Sequence, residues 1–241
     1  MRQAQEIQTD RLEYDHGTRD QLGWEGGGRD SFWKSTTDRA ILPPMRNQGA
    51  VTRQRIVHEG LDLLSEEGLS GVTLGELAAQ TRMSKSGLFA HFRSKGELQI
   101  ALLEHMAEVA AAHVVRPAMR SGAGLPRLKA LVSNWLGWTE KAGLRGGCPV
   151  AAALFELDDI EGPVRTKVLA MESHWRELLV GLTREAMELG HLRANLDVEQ
   201  FVWELCGIYL SHHVSLRFLR DARSDKRART AFAALLDRAG T

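Results

Sequence analysis

The sequence predicts an all-α protein, on three observations. From Val51 onward, apolar residues recur at spacings of three and four almost without interruption. No alternating apolar–polar run is long enough for a strand, and no internal repeat is present. The interruptions are helix punctuation: Gly68, Gly162-Pro163, Gly190 and the capping residues Thr73, Ser84 and Asp197.

The elements follow in order. Ile56, Val57, Leu61, Leu63 and Leu64 form the apolar stripe of a first helix that closes at Gly68, a natural left-handed cap. Thr73 opens a short helix from Leu74 to about Gln80, and Thr73 with Glu76 makes the S/T-x-x-E capping box. Ser84 opens the next, with Leu88, Phe89 and Phe92 as its apolar face. A longer helix runs from about Ser94 to Val115, where Pro117 stops it. Residues 126–142 carry Leu128, Leu131, Val132, Trp135, Leu136 and Trp138 and read as one helix. A short apolar piece, Val150 to Leu157, follows Gly146-Gly147-Cys148-Pro149. Pro163 starts a long helix that ends at Gly190. Asp197 caps a helix to about Asp221, and Asp225 caps a last one to about Ala239.

Composition bounds the function classes. The chain has 241 residues, enough for a sizeable core, and 31 basic side chains balance 31 acidic ones. A zero sum argues against a uniformly basic coat but leaves room for local patches. No run of 18 apolar residues and no signal-peptide core is present, so neither a membrane span nor secretion is expected. Two cysteines, Cys148 and Cys206, cannot make a disulfide framework or a four-thiolate zinc site, which points to a reducing cytoplasm. Residues 1–50 differ from the rest. They hold Gly26-Gly27-Gly28, Pro43-Pro44 and no periodic stretch, and read as a disordered tail or an over-long start, with Met45 as an alternative start. A DNA-gripping arm is the other reading, but seven basic against eight acidic residues there do not favour it. Arg46, Arg53 and Arg55 are better placed for phosphate contacts.

Residues 73–95 carry the function. Two short helices joined by Thr81-Arg82-Met83 make a helix-turn-helix, and a second helix of that size fits the major groove. It begins Ser84-Lys85-Ser86-Gly87, short or flexible polar groups suited to close approach to bases and phosphates. Arg82, Lys85, Arg93 and Lys95 fall between 82 and 95, with no acidic residue among them. The other reading of the same residues is a solvated helix pair in an unrelated all-α domain.

Residues 53–98 closely resemble the DNA-binding domain of the TetR family of bacterial transcriptional repressors. The resemblance rests on Arg55-Ile56, Gly68, Thr73, Leu77-Ala78, Ser84-Lys85, Leu88-Phe89, His91-Phe92 and Ser94-Lys95, ending at Leu98. It implies that Thr73 caps the second helix and touches a phosphate. It also implies that Lys85, Ser86, Gly87, Phe89 and His91 face DNA, and that Lys95 opens the next helix against the backbone. The family usually has tyrosine at Phe89, so one phenolic phosphate contact is missing here. More weakly, Gly147-Cys148-Pro149, Phe155-Glu156 and Gly162-Pro163-Val164-Arg165 resemble the regulatory half of one branch of the family.

The resemblance implies an N-terminal three-helix DNA-binding domain at 51–98, then an effector-binding and dimerisation bundle at 99–241. The expected protein is a cytoplasmic homodimeric repressor on a pseudo-palindromic operator. A small-molecule effector would release it by moving the helix at about 94–115. Two reading heads must sit about 34–36 Å apart, which a two-fold dimer supplies. For that dimer the helices at about 197–221 and 226–239 offer Phe201, Val202, Leu205, Ile208 and Tyr209, continued by Leu216, Phe218 and Leu219. For the pocket, Trp135, Trp138, Phe155, Met171, His174, Trp175, Trp203 and Cys206 are the candidates, although the same side chains equally suit an ordinary helical core.

Other chemistries have thinner support. His212-His213 are adjacent and point to different helix faces, and Glu188-Leu-Gly-His191 is a lone motif where a carboxylate di-metal bundle needs two, so no metal site is expected. Glu156, Asp158, Asp159 and Glu161 read as a solvated turn placing negative charge near a helix N-terminus. A thiol at Cys148, beside two glycines and a helix start, could be lowered in pKa and sense redox state, or could be a small buried hydrophobe. No Gly-x-Ser-x-Gly, phosphate loop or dinucleotide fingerprint is present, so neither a catalytic residue nor a cofactor is expected. An all-α enzyme without a motif would leave the helix-turn-helix unexplained.

Overall fold

The computed structural model describes residues 48–240, and the expectations for the N-terminal tail, Met45 and Arg46 lie outside them. Ten helices and no strand are present among the described residues. In chain order they are α1 (Gln48–Gly71), α2 (Leu74–Thr81), α3 (Lys85–Phe89) and α4 (Lys95–Ala110, continued through Ala111–Val115 and Arg116–Met119). Then come α5 (Leu125–Trp135), α6 (Trp138–Lys141), α7 (Pro149–Glu156), α8 (Pro163–Glu188), α9 (Val198–Arg217) and α10 (Ser224–Ala239).

Helices α1, α2 and α3 form a small head. Ile56, Leu64, Leu77, Leu88 and Phe92 meet in its centre, each fully buried. Helix α4 starts in this head with Leu98 and Leu102 and leaves it to pack against α8. A division at residue 98 therefore falls inside a continuous helix. Helix α8 then packs on α5 and α9, and α9 lies along α10. Among the described residues only Lys95–Met119 is long and apolar enough to cross a membrane, and half of that stretch is buried inside the protein.

Four boundaries differ from the expected ones, each for a local reason. Helix α1 does not end at Gly68 but kinks there, at φ 70° and ψ −172°, and resumes for one more turn to Gly71. Pro117 does not stop α4. Proline lacks an N–H and crowds the carbonyl four residues back, and the widened π-helical turn at Ala111–Val115 accommodates it, so the helix reaches Met119. The stretch 126–142 is two helices, broken where Leu136 is extended and Gly137 adopts φ 70°. The Lys141 ammonium closes that break by donating to the carbonyls of Ser133 at 2.9 Å and Leu136 at 3.1 Å. Finally, Asp225 does not cap α10. Its carboxylate takes the buried His212 Nε2 at 2.6 Å instead, and Asp221 accepts from Arg223 N at 2.9 Å just ahead of the helix.

Candidate nucleic-acid interface and its connection to the helical bundle

The reading pair is held by caps written into its own sequence. Thr73 Oγ1 accepts from Glu76 N at 3.1 Å and donates to the Glu76 carboxylate at 2.8 Å, a variant of the expected capping box. Arg82 ends α2 in the left-handed region at φ 54°. Ser84 Oγ accepts from Gly87 N at 3.0 Å and starts α3, which is five residues long and ends at Phe89, before the Phe92 expected on its apolar face. Ser94 Oγ accepts from Glu97 N at 3.1 Å and starts α4.

The candidate DNA contacts distribute as follows. Lys85, Ser86 and Phe89 are exposed on α3, while Gly87 and His91 are partly covered. Phe89 does not join Leu88 and Phe92 in the apolar face. It is 53% exposed where they are fully buried, because Leu88 is the one position of the five-residue helix that turns inward and Phe92 lies beyond its end. A Cβ on Gly75 would lie 3.4 Å from Lys85 Cε and 3.7 Å from Thr73 Oγ1, so Lys85 and Thr73 converge on the first turn of α2. Arg53 stacks 4.7 Å above the Phe92 ring and pairs with Glu97 at 3.7 Å. Lys95 is exposed and donates to the carbonyl of Ser70 at 2.9 Å.

The candidate pocket residues split into an inner and an outer set. Trp135 stacks on Tyr209 with ring centroids 3.9 Å apart and meets Trp175 edge-on at 4.7 Å. Trp138 Nε1 donates to the Tyr209 hydroxyl at 3.1 Å. Cys206 lies one turn from Tyr209 on α9, near the Glu172–Arg176 pair, whose separation is 2.8 Å. Burial pushes the Glu172 carboxyl up, against the pull of Arg176. Met171 and His174 are half-buried on α8, and His174 Nδ1 bonds the Ala170 carbonyl at 2.6 Å. Phe155 and Trp203 do not join them, being 57% and 66% exposed.

Tyr209 lies inside and Trp203 outside, the reverse of the placement expected of them. Phe201, Val202, Leu205 and Tyr209, taken as a dimer face, turn inward and are buried. Trp203 faces outward instead, on a groove of about 620 Å³ between α9 and α10 that also includes Gly207, Ile208, Ala231 and Ala234. Helix α9 is apolar on both sides, so its periodicity does not distinguish inside from outside. Leu216, Phe218 and Leu219 remain exposed as expected.

Three further side chains have defined surroundings. The Cys148 thiol is not activated: burial pushes its pKa up, outweighing hydrogen bonds from neighbouring backbone and from Tyr209. His191 Nδ1 accepts from Leu125 N at 3.2 Å and so completes the start of α5. Glu156 does not sit in a solvated turn. Its carboxylate accepts from Leu69 N at 3.1 Å and Ser70 N at 2.7 Å, immediately after the α1 kink.

Glu156 belongs to a junction that sequence reasoning missed. Gly146 N donates to Ser65 Oγ at 3.0 Å and Gly147 N to Ser65 O at 2.9 Å. Arg145 pairs with Asp62 at 3.5 Å and Glu66 at 3.1 Å. Both ends of the 145–156 segment thus touch α1. One signal was available: a carboxylate in the last turn of a helix opposes the helix dipole and calls for a tertiary partner.

A three-helix head with an exposed, basic, Ser-capped second element defines a helix-turn-helix DNA-binding protein. Comparison with known proteins gives the family. The model of bacterial regulatory proteins of the tetR family matches residues 56–102, and that of the tetracyclin repressor-like C-terminal domain matches residues 124–232. The transcriptional regulator AcuR of Cereibacter sphaeroides is 27% identical over 150 residues, covering 61% of this chain and 68% of its own. A TetR transcriptional regulator of Chloroflexus aurantiacus, 24% identical, superposes with a TM-score of 0.73 over 80% of this chain and 98% of its own. AibR, solved in complex with isovaleryl coenzyme A and operator DNA, is 21% identical with a TM-score of 0.59 over 76% of this chain and 95% of its own. The chain belongs to the TetR family of transcriptional regulators.

Proposed function

We propose that this regulator is a cytoplasmic homodimeric repressor, not an enzyme, whose α3 helices enter successive major grooves of a pseudo-palindromic operator. The observation that carries the reading is α3 itself: Lys85, Ser86 and Phe89 stand exposed, and no carboxylate occurs between Arg82 and Lys95. Phosphates neutralise such a surface, and bases are read by the short side chains at its N-terminal turn. Residues 51–98 serve as the DNA-binding domain and 99–241 as the regulatory one. Arg53, Thr73 and Lys95 are assigned to the phosphate backbone, and Lys85, Ser86, Gly87, Phe89 and His91 to the groove.

The outer face of α9 and α10 is assigned to the second subunit. An exposed Trp203 beside Gly207, Ala231 and Ala234 gives an apolar anchor among small residues that let two helix pairs approach closely. The effector site is assigned to the interior around Trp135, Trp138, Trp175 and Cys206. Trp175 Nε1 is buried there without an acceptor, and an effector bearing an oxygen would supply one. The isovaleryl coenzyme A complex of AibR supports a small-molecule effector in a fold of this kind.

Selection of duplexes by the full-length protein from a random library, followed by an anisotropy titration, tests the reading. Two subunits per duplex, on a two-fold-symmetric site, with affinity falling steeply with salt, is the expected result. Sequence-independent binding alone, or a monomer on DNA, would overturn it.

A further inference from the structure

We propose that Glu156 is a positioning residue for operator recognition, through which α7 couples the aromatic core to the DNA-reading head. The inference rests on the reading of the chain as an operator-binding regulator. It names a residue outside the head that holds the head's geometry.

The geometry around the kink supports it. Gly68 takes φ 70°, and a Cβ there would lie 2.2 Å from Glu156 Oε1, so the carboxylate occupies the space a side chain would need. Beyond the kink, Leu69 and Ser70 are gripped on both sides. Glu156 accepts both of their amides. Their carbonyls accept from α4, Leu69 O from Gln99 Nε2 at 2.6 Å and Ser70 O from Lys95 Nζ at 2.9 Å. Three residues after Ser70 comes Thr73, the cap of α2. Lys95 and Thr73, both assigned to phosphates, thus take their positions from one dipeptide whose amides a regulatory-half carboxylate holds.

The other end of α7 is anchored in the aromatic core. Cys148 is its N-cap residue, buried in hydrogen-bonding contact with Tyr209 and Trp138. Helix α7 is eight residues long, which is about 12 Å at 1.5 Å per residue. Such a helix is short and stiff, so a displacement of the Tyr209–Trp138 cluster moves Glu156 rather than bending the helix. Gly146 and Gly147, docked on Ser65, give α7 a second bearing on α1. A rearrangement of the core on effector binding would act on the kink directly, beside any movement of α4.

The test uses the full-length dimer and the duplex selected by the wild-type protein. Glu156→Ala should weaken that duplex about tenfold, which is about 1.4 kcal/mol. Amide exchange at Leu69 and Ser70 should quicken while Leu77 and Leu88 stay protected. Glu156→Gln, which keeps the volume and one acceptor, should recover part of the affinity. A merely structural cap would lower the melting temperature and quicken those two amides with operator affinity unchanged, and that result overturns the proposal. Unchanged exchange at Leu69 and Ser70 also overturns it. Failure of the wild-type protein itself to select a duplex would overturn the operator-binding reading, a result distinct from failure of the variant alone.

Discussion

In the DNA-reading head, Thr73, Ser84 and Ser94 each accept from the amide three residues further on. In the regulatory half the decisive contacts span the chain: Arg127 reaches Glu185 across 58 residues, and Trp138 reaches Tyr209 across 71. Both halves are all-helical, yet local hydrogen bonds set the start of each head helix after α1, while side chains from distant helices fix the core. The head can therefore present exposed polar groups with a small apolar centre beneath them. The regulatory half depends on a closed aromatic cluster, and a change there is felt wherever its helices touch. The difference is one of construction: a head whose shape is set locally, and a core held by long-range contacts. The 145–156 segment joins the two styles, with a buried thiol at one end of α7 and a carboxylate on α1 at the other.

The strongest way to break the comparison is at that joint. A Cβ on Gly146 would lie 1.8 Å from the backbone oxygen of Ser65, and neither side has a flexible tip to withdraw. Gly146→Ala should destabilise by about 3 kcal/mol, at the upper end of ordinary overpacking, as read by urea denaturation. Wild-type stability in that variant would mean that the two halves do not meet there. Next is Tyr209→Phe, which leaves Trp138 Nε1 buried without its acceptor. A loss of about 2 kcal/mol is expected, with helicity of the head unchanged by circular dichroism.

Ser84→Ala tests the local side. It removes the only side-chain cap of α3 and should cost about 1 kcal/mol, with a melting shift smaller than that of Tyr209→Phe. An equal or larger shift would contradict the contrast between local and long-range construction. The last effect is confined to alkali. Burial raises the Cys206 thiol from 9.0 to about 11, so its contribution to stability is whole below 9.0 and is lost as pH rises towards 11. Cys148 and Tyr209 shift in the same direction, also by burial. Melting temperature should therefore fall through that window, and Cys206→Ala should shallow the fall.

The head was legible because its instructions lie close together in the chain. Thr73 with Glu76, Ser84 at the head of its helix, and the four basic residues from Arg82 to Lys95 with no acidic one among them predict caps, turn and charged surface without reference to anything distant. Gly68 was legible as a left-handed position, though not as a kink, because continuing the helix beyond it requires Glu156 from another part of the chain. Pro117 misled for a related reason: its cost is local, but the π-helical turn that absorbs it sits in a helix packed on α5 and α6.

The sequence by itself determined the helical class, the helix-turn-helix and the order of the elements, since period, caps and breakers act within a few residues. The tertiary structure alone decided which face of α9 turns inward. With Trp203 on one side and Tyr209 on the other, both faces are apolar, and only packing against Trp135 and Trp138 places Tyr209 inside. It also decided the state of Cys148, whose thiol is raised because the fold encloses it. Glu156 shows the same division: its charge can be read from the chain, but its partners lie 87 and 86 residues away and only folding brings them to it.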